Sequence, residues 1–172
     1  MSDNQIRCFL HEYNRCKRLI EAAIADLNDD DFYTKPAEFS NSIAILIKHL
    51  SGNFISRWSE FLSTDGNKAN RQRDDEFIIH ENDTRTVLMA RWAQAWEVLF
   101  QTFDSLQDSD LSKVVTIRGE EHTVLQAILR NLSHVSLHCG QILYLARLFA
   151  PESDWLTIAP GESKQFSQRY FS

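Results

Sequence analysis

Glycine and proline are too scarce in this chain to punctuate a β-rich fold, with five and three residues among 172. Sandwiches and barrels need turn signals roughly every 8–12 residues, so long helices are the default expectation. Long apolar runs are missing as well. No stretch approaches the ~20 apolar residues of a membrane span, and the opening MSDNQIRCFLHEYNRC lacks the basic and apolar regions of a secretory leader. A cytoplasmic protein with no membrane partner is therefore expected. Positive charge is also short. Eighteen Lys and Arg oppose 24 Asp and Glu, a formal net charge of −6, which argues against nucleic acid as the main partner. A local basic pocket stays compatible with that balance. Cysteine is sparse and odd in number: Cys8, Cys16 and Cys139 contain no Cys-x-x-Cys spacing. Free thiols in a reducing compartment are the simplest account, with Cys8 and Cys16 as packing residues of the first helix.

What is present is an ordinary globular composition, 43% hydrophobic and 24% charged, at a length that fits one domain over residues 1–172. Helical spacing of Ile6, Phe9, Leu10, Tyr13, Cys16, Ile20, Ala23, Ile24 and Leu27 predicts a first helix from about Asn4 to Leu27. NDDDFYTKP ends it. A second helix should start near Ser40, Asn41 or Ser42, any of which can cap, and run to about Leu62. A long polar connection follows, with mixed charges at Arg71, Arg73, Asp74, Asp75 and Glu76. Its plain reading is a solvated loop; the sharper one is a lid or substrate rim. The third helix should open near Asp83 or Thr84 and carry Leu88, Trp92, Ala95, Trp96, Leu99, Phe103 and Leu106 inward. SKVVTIRGEEHT predicts a small extended segment or hairpin. A Thr123-x-x-Gln126 capping box then opens a fourth helix ending near Ala150. The tail reads as irregular, packed back through Trp155 and Ile158. Four amphipathic helices without a sustained strand pattern imply an all-α four-helix bundle.

Two histidines then stand out. In LSHVSLHCGQ, His134 and His138 are four residues apart, one turn apart on one helix face. His49, at the edge of the second helix's apolar stripe, offers a third nitrogen from a facing helix. Core histidines are commonly just hydrogen-bonded, and His-x-x-x-His recurs by chance, so a structural role is the competing account. Three nitrogen ligands with a fourth position open form the pattern of a catalytic rather than a closed zinc site. Val135 stands where a zincin needs glutamate, and Asn131 and Leu46 stand where a di-iron bundle needs carboxylates. His11, His80 and His122 have surface or loop contexts. Cys139 points about 100° away from His138, so it should pack rather than act as a nucleophile.

NSIAILIKHLSGNFISRWSEFLSTDG around His49, LQAILRNLSHVSLHCGQILYLARL around His134 and His138, NRQRDDEF and LTIAPGESKQF together resemble the DinB/YfiT-like superfamily of bacterial four-helix metalloproteins. The resemblance implies an up-down-down-up bundle. It implies one divalent ion, often nickel or zinc, on His49, His134 and His138, with no departure at any ligand. It also implies chemistry with low-molecular-weight thiols in some members, and a homodimer in many.

A metal there could activate water or a low-molecular-weight thiol cosubstrate, giving a hydrolase or an S-transferase acting on a small molecule. The alternative is a non-catalytic bundle whose metal only fastens two helices. Asn53 and Arg57, one and two turns beyond His49, and Gln141 are the candidate substrate-binding residues. Arg57 could hold an anionic substrate group, or pair with a surface acid.

Overall fold

The computed structural model describes residues 5–171, and side chains through residue 167. Asn4, the expected start of the first helix, lies outside them. Among the described residues four long helices enclose the core: α1 (Gln5–Ala25), α3 (Ile43–Trp58), α4 (Arg85–Ser105) and α5 (Val124–Phe149). Two short helices, α2 (Asp29–Tyr33) and α6 (Ser163–Phe171), and a hairpin of β1 (Val114–Ile117) and β2 (Glu120–Thr123) complete the chain. α3 packs chiefly on α4, and α1 on α5.

The caps explain most boundaries. Ser42 accepts from the Ile45 amide and Thr84 from that of Val87, both at 3.3 Å. The Thr123 hydroxyl accepts from the Gln126 amide at 3.1 Å, and the Gln126 side chain accepts from the Thr123 amide at 2.8 Å, so the expected box forms. The N-terminal connection holds more structure than expected. Asn28 caps a single helical turn that buries Phe32. α3 stops at Trp58 rather than near Leu62, because Ser59 turns extended at a ψ of 128° and Glu60 follows with a left-handed φ of 47°. Its carbonyl instead accepts from the amides of Ser63 and Thr64 in a turn.

α3 is buried on every side except at Ile55, as the central element between α4, α5 and the 74–83 connection. An aromatic cluster fills the space around it. Tyr13 makes edge contacts with Phe54, Trp58, Trp96 and Phe103 at centroid distances of 5.3–6.4 Å, each worth ~0.5–1.5 kcal/mol beyond its burial. The Tyr13 hydroxyl donates to Asn131 Oδ1 at 3.0 Å, and Asn131 Nδ2 donates to Asn53 Oδ1 at 2.7 Å. This chain ties α1, α5 and α3 together one turn from the histidines.

Three packing expectations need correction. Cys8 is exposed, because it falls outside the buried series of α1. Trp155 and Ile158 stay half-exposed at 52% and 42%; Trp155 is covered on one face by Arg147, whose guanidinium lies 4.2 Å from the ring centroid. The tail ends in a helix, α6, rather than in irregular chain. No helix among the described residues is long and apolar enough to cross a membrane.

Candidate metal centre

α3 and α5 bring the three histidines together as the spacing predicts. Their ligand atoms lie within 4.8 Å of one another, and His134 Nε2 is 3.1 Å from the Nε2 atoms of both His49 and His138. Two nitrogens held by bonds of ~2.0–2.1 Å at a tetrahedral centre would be roughly 3.3 Å apart, so the spacing suits a single ion.

The partners of the outer nitrogens fix which atoms face inward. His49 Nδ1 lies 2.8 Å from Glu76 Oε2. A carboxylate only accepts, so Nδ1 carries the proton and Nε2 presents a lone pair. His138 Nδ1 donates to Gln141 Oε1 at 2.7 Å, with the same result. Two lone pairs therefore converge on His134 Nε2, and a neutral imidazole can donate to only one of them. His134 Nδ1 is buried with no hydrogen-bond partner among the described residues. A cation resolves the conflict, because it accepts all three lone pairs. A proton does so poorly. Burial, then the neighbouring His138 and His49, then Arg71 and Arg57, push His134 down to about 3. Burial also lowers His138, partly offset by its bond to Gln141.

Glu76 is the residue that sequence reasoning passed over. It sits in a 3-10 turn, Asp74–Phe77, in the connection read either as a solvated loop or as a lid or substrate rim, and it is 3% exposed. Burial alone would raise its carboxyl, but hydrogen bonds from Arg71 and His49 outweigh that and hold it below its usual range. Arg71 grips both carboxylate oxygens at 2.8 Å. Lys48, buried in α3, pins the same connection by donating to Asp83 Oδ2 at 2.8 Å and to the Ile78 carbonyl at 2.7 Å. Gly52 makes the approach feasible: a Cβ there would overlap the Glu76 carboxylate. A glycine inside an apolar helical pattern costs ~1 kcal/mol against alanine. That cost was the legible signal of a close contact.

Glu76→Ala is expected to weaken zinc or cobalt binding ~10–100-fold, since partners of this kind orient the imidazole and raise its basicity. A chelator-competition titration, with far-UV circular dichroism as the check on folding, measures it. Unchanged affinity would show that Glu76 does not hold His49 for a metal.

The remaining candidates fall into place around this centre. Asn53 is buried, with its oxygen already taken by Asn131. Arg57 is buried and finds no acidic partner; its Nε and Nη1 lack any hydrogen bond among the described residues. Gln141 is exposed and spends its oxygen on His138. Cys139 is buried with its Sγ toward the Cys16 carbonyl, away from the histidine group. His11, His80 and His122 stand apart, bonded to Glu12, Asp75 and the Glu120 carbonyl respectively. Among the described residues no fourth His, Cys, Asp or Glu joins the cluster.

Fold and site together define a helical protein with a three-histidine group positioned to hold a metal ion. The chain belongs to the family described as "Protein of unknown function (DUF1572)", whose model matches residues 1–162. No curated protein matches it. Its fold is similar to the crystal structure of the conserved protein of locus from Enterococcus faecalis, with a TM-score of 0.61 at 15% identity. That likeness covers 84% of this chain and 96% of the other, and speaks to the fold alone.

Proposed function

We propose that this protein is a metal-dependent enzyme of the hydrolase or thiol S-transferase type, acting on a small molecule through one zinc or nickel ion on His49, His134 and His138. The observation that carries the reading is the convergence of three Nε2 atoms, with the outward partners of His49 and His138 leaving two lone pairs facing His134 Nε2. A bound divalent ion supplies Lewis acidity and brings the pKa of a coordinated water or thiol toward neutrality. The chain's own part is to hold the imidazoles. Glu76, braced by Arg71, orients His49, and Gln141 orients His138. The Tyr13–Asn131–Asn53 chain braces the helix faces beside them. Asn53, Arg57 and Gln141 are the proposed substrate contacts. Resemblance to the DinB/YfiT-like superfamily supports the same assignment. It extends it to an up-down-down-up bundle of one domain, a cytoplasmic setting and a homodimer, for which exposed Leu137, Tyr144 and Leu148 on α5 offer apolar surface.

The second reading is a non-catalytic bundle whose metal fastens α3 to α5, favoured by the origin of the ligands on those two helices. Cobalt-loaded protein titrated with small thiols and with azide separates the two. A sulfur-to-metal charge-transfer band supports S-transfer, and a response to azide alone supports hydrolysis. A spectrum indifferent to every ligand means a closed structural site and defeats the enzyme reading.

A further inference from the structure

Beside the histidines lies a second feature that metal binding does not use. A cavity of about 200 Å³ shares His49 and His134 with the metal centre and continues along α3 past Asn53 to Arg57. Its wall carries five arginines, Arg57, Arg71, Arg73, Arg118 and Arg130, and no carboxylate among the described residues. In a chain of net charge −6, that concentration of one sign is contrary to the average.

The internal partners do not neutralise it. Arg71 is matched by Glu76, and Arg73 lies 3.7 Å from the fully exposed Asp74. Arg130 donates to His122 Nε2, a nitrogen that offers no negative charge while the ring is neutral. Arg118 has no carboxylate partner among the described residues. Arg57 is the sharpest case. It is 8% exposed, and both Nε and Nη1 are buried without an acceptor. Burial first, then Arg130 and Arg71, push its pKa down to about 10, so it still carries its charge near neutral pH. A buried cation without a partner is costly, and such a group points to a function, an ordered water or an ion that completes it.

The surroundings are built to hold these groups in place. Gly66 lies against the Arg57 side chain, where a Cβ would come within 3.1–3.3 Å of its Cδ, Nε and Nη1. The Gly66 amide donates to the Thr116 carbonyl at 2.8 Å, and Asp65 accepts from the Arg118 and Gly119 amides at 2.9 and 2.8 Å. The 63–70 connection is thereby stitched to the hairpin turn. Arg118 itself has a left-handed φ of 58°, in a two-residue turn that ordinarily takes Asn, Asp or Gly.

We propose that this cavity is an oxyanion subsite that takes the doubly negative end of a compact substrate, a phosphoryl or small dicarboxylate group. It holds that group on Arg57, Arg118 and Arg130 while the rest of the substrate reaches His49 and His134. Only the reach of the substrate to His49 and His134 rests on the metal-dependent reading; the anion site itself stands on the arginines. Guanidinium groups suit the task, because their planar forks bind phosphate and carboxylate oxygens two at a time. The small volume selects compact groups over extended polyanions.

The test uses chelator-treated and cobalt-loaded protein, each titrated with inorganic phosphate and with malonate. Isothermal calorimetry is the readout, against potassium chloride at matched ionic strength. Both anions should bind metal-free protein where chloride gives no heat, and the tighter of the two identifies phosphoryl or dicarboxylate chemistry. Arg118→Ala, at an exposed turn, and Arg57→Gln should each weaken binding about tenfold or more. Arg91→Ala, off this cavity, should not. If Arg57→Gln fails to fold, Arg118→Ala carries the result alone. No binding of either anion above chloride overturns the proposal, even with cobalt seated on the histidines. Binding that needs cobalt and ignores Arg118 also overturns it, because the anion is then only a metal ligand. Arginine-dependent anion binding in a protein that takes up no cobalt would uphold this subsite and defeat the metal-enzyme reading instead.

Discussion

Substituting His49, His134 and His138 together by alanine is expected to take the metal content from one ion per chain to background. A His134→Ala change alone should do nearly the same. His134 is the middle ligand, 3.1 Å from both of the others, so its loss leaves two imidazoles with nothing between them. The effect should also appear in stability. An ion present at 100 times its Kd adds ~2.7 kcal/mol to the folded state, or about 5–10 °C in Tm for a chain of this size. Wild-type protein should show that shift on addition of zinc or nickel, and the variants should not. Elemental analysis and thermal melts with and without metal measure the two effects. Metal retained at the wild-type level in the triple variant sinks the three-histidine assignment.

Acid should act with comparable force, and in a definite direction. His134 is held down to about 3 in the fold, from an ordinary 6.5, and His138 is lowered too. The unfolded chain therefore takes up protons that the folded chain refuses as pH drops below 6.5, and stability falls with it. Glu76, held below its ordinary 4.5, adds a second loss with the same sign at lower pH. Above neutrality neither contribution changes. Metal binding needs neutral imidazoles, and burial delays the protonation of His134 relative to a free imidazole. Release of the ion and loss of tertiary structure should thus run together between pH ~6 and ~4. Metal content and near-UV circular dichroism followed in parallel test this. A metal content flat to pH 4 contradicts imidazole ligation. Release complete at pH 6 with the fold intact contradicts the burial argument.

The sequence made the helices and the histidine cluster legible for the same reason: both depend on local spacing. Ser42, Thr84 and the Thr123–Gln126 box act within one turn of chain, and His134 and His138 share a face by helical geometry alone. His49 followed because an inward edge of one helix in a bundle must meet another. Glu76, Arg71 and Lys48 were illegible because their burial is decided by how a polar connection folds over α3. Among mixed charges, no periodicity distinguishes buried Glu76 from fully exposed Asp74. Arg57 was visible as a candidate, but its lack of any acidic partner could emerge only from three dimensions. The extended Ser59 and left-handed Glu60 that end α3 early, and the exposure of Cys8 and Trp155, also turn on tertiary contacts.

The pairing of α1 with α5 sets an order in time. Ninety-eight residues separate Ala25 from Val124 (124 − 25 − 1), and a ribosome needs on the order of 5–20 seconds to add them. Throughout that interval α1 lacks α5, its main packing partner, while its Tyr13 can already meet the aromatic side chains of α3 and α4. His49 emerges early and waits as well. A nascent chain stopped before residue 124 owns one of the three imidazoles and cannot retain an ion through them. An ion held on all three imidazoles could therefore be taken up only after residue 138 has been added.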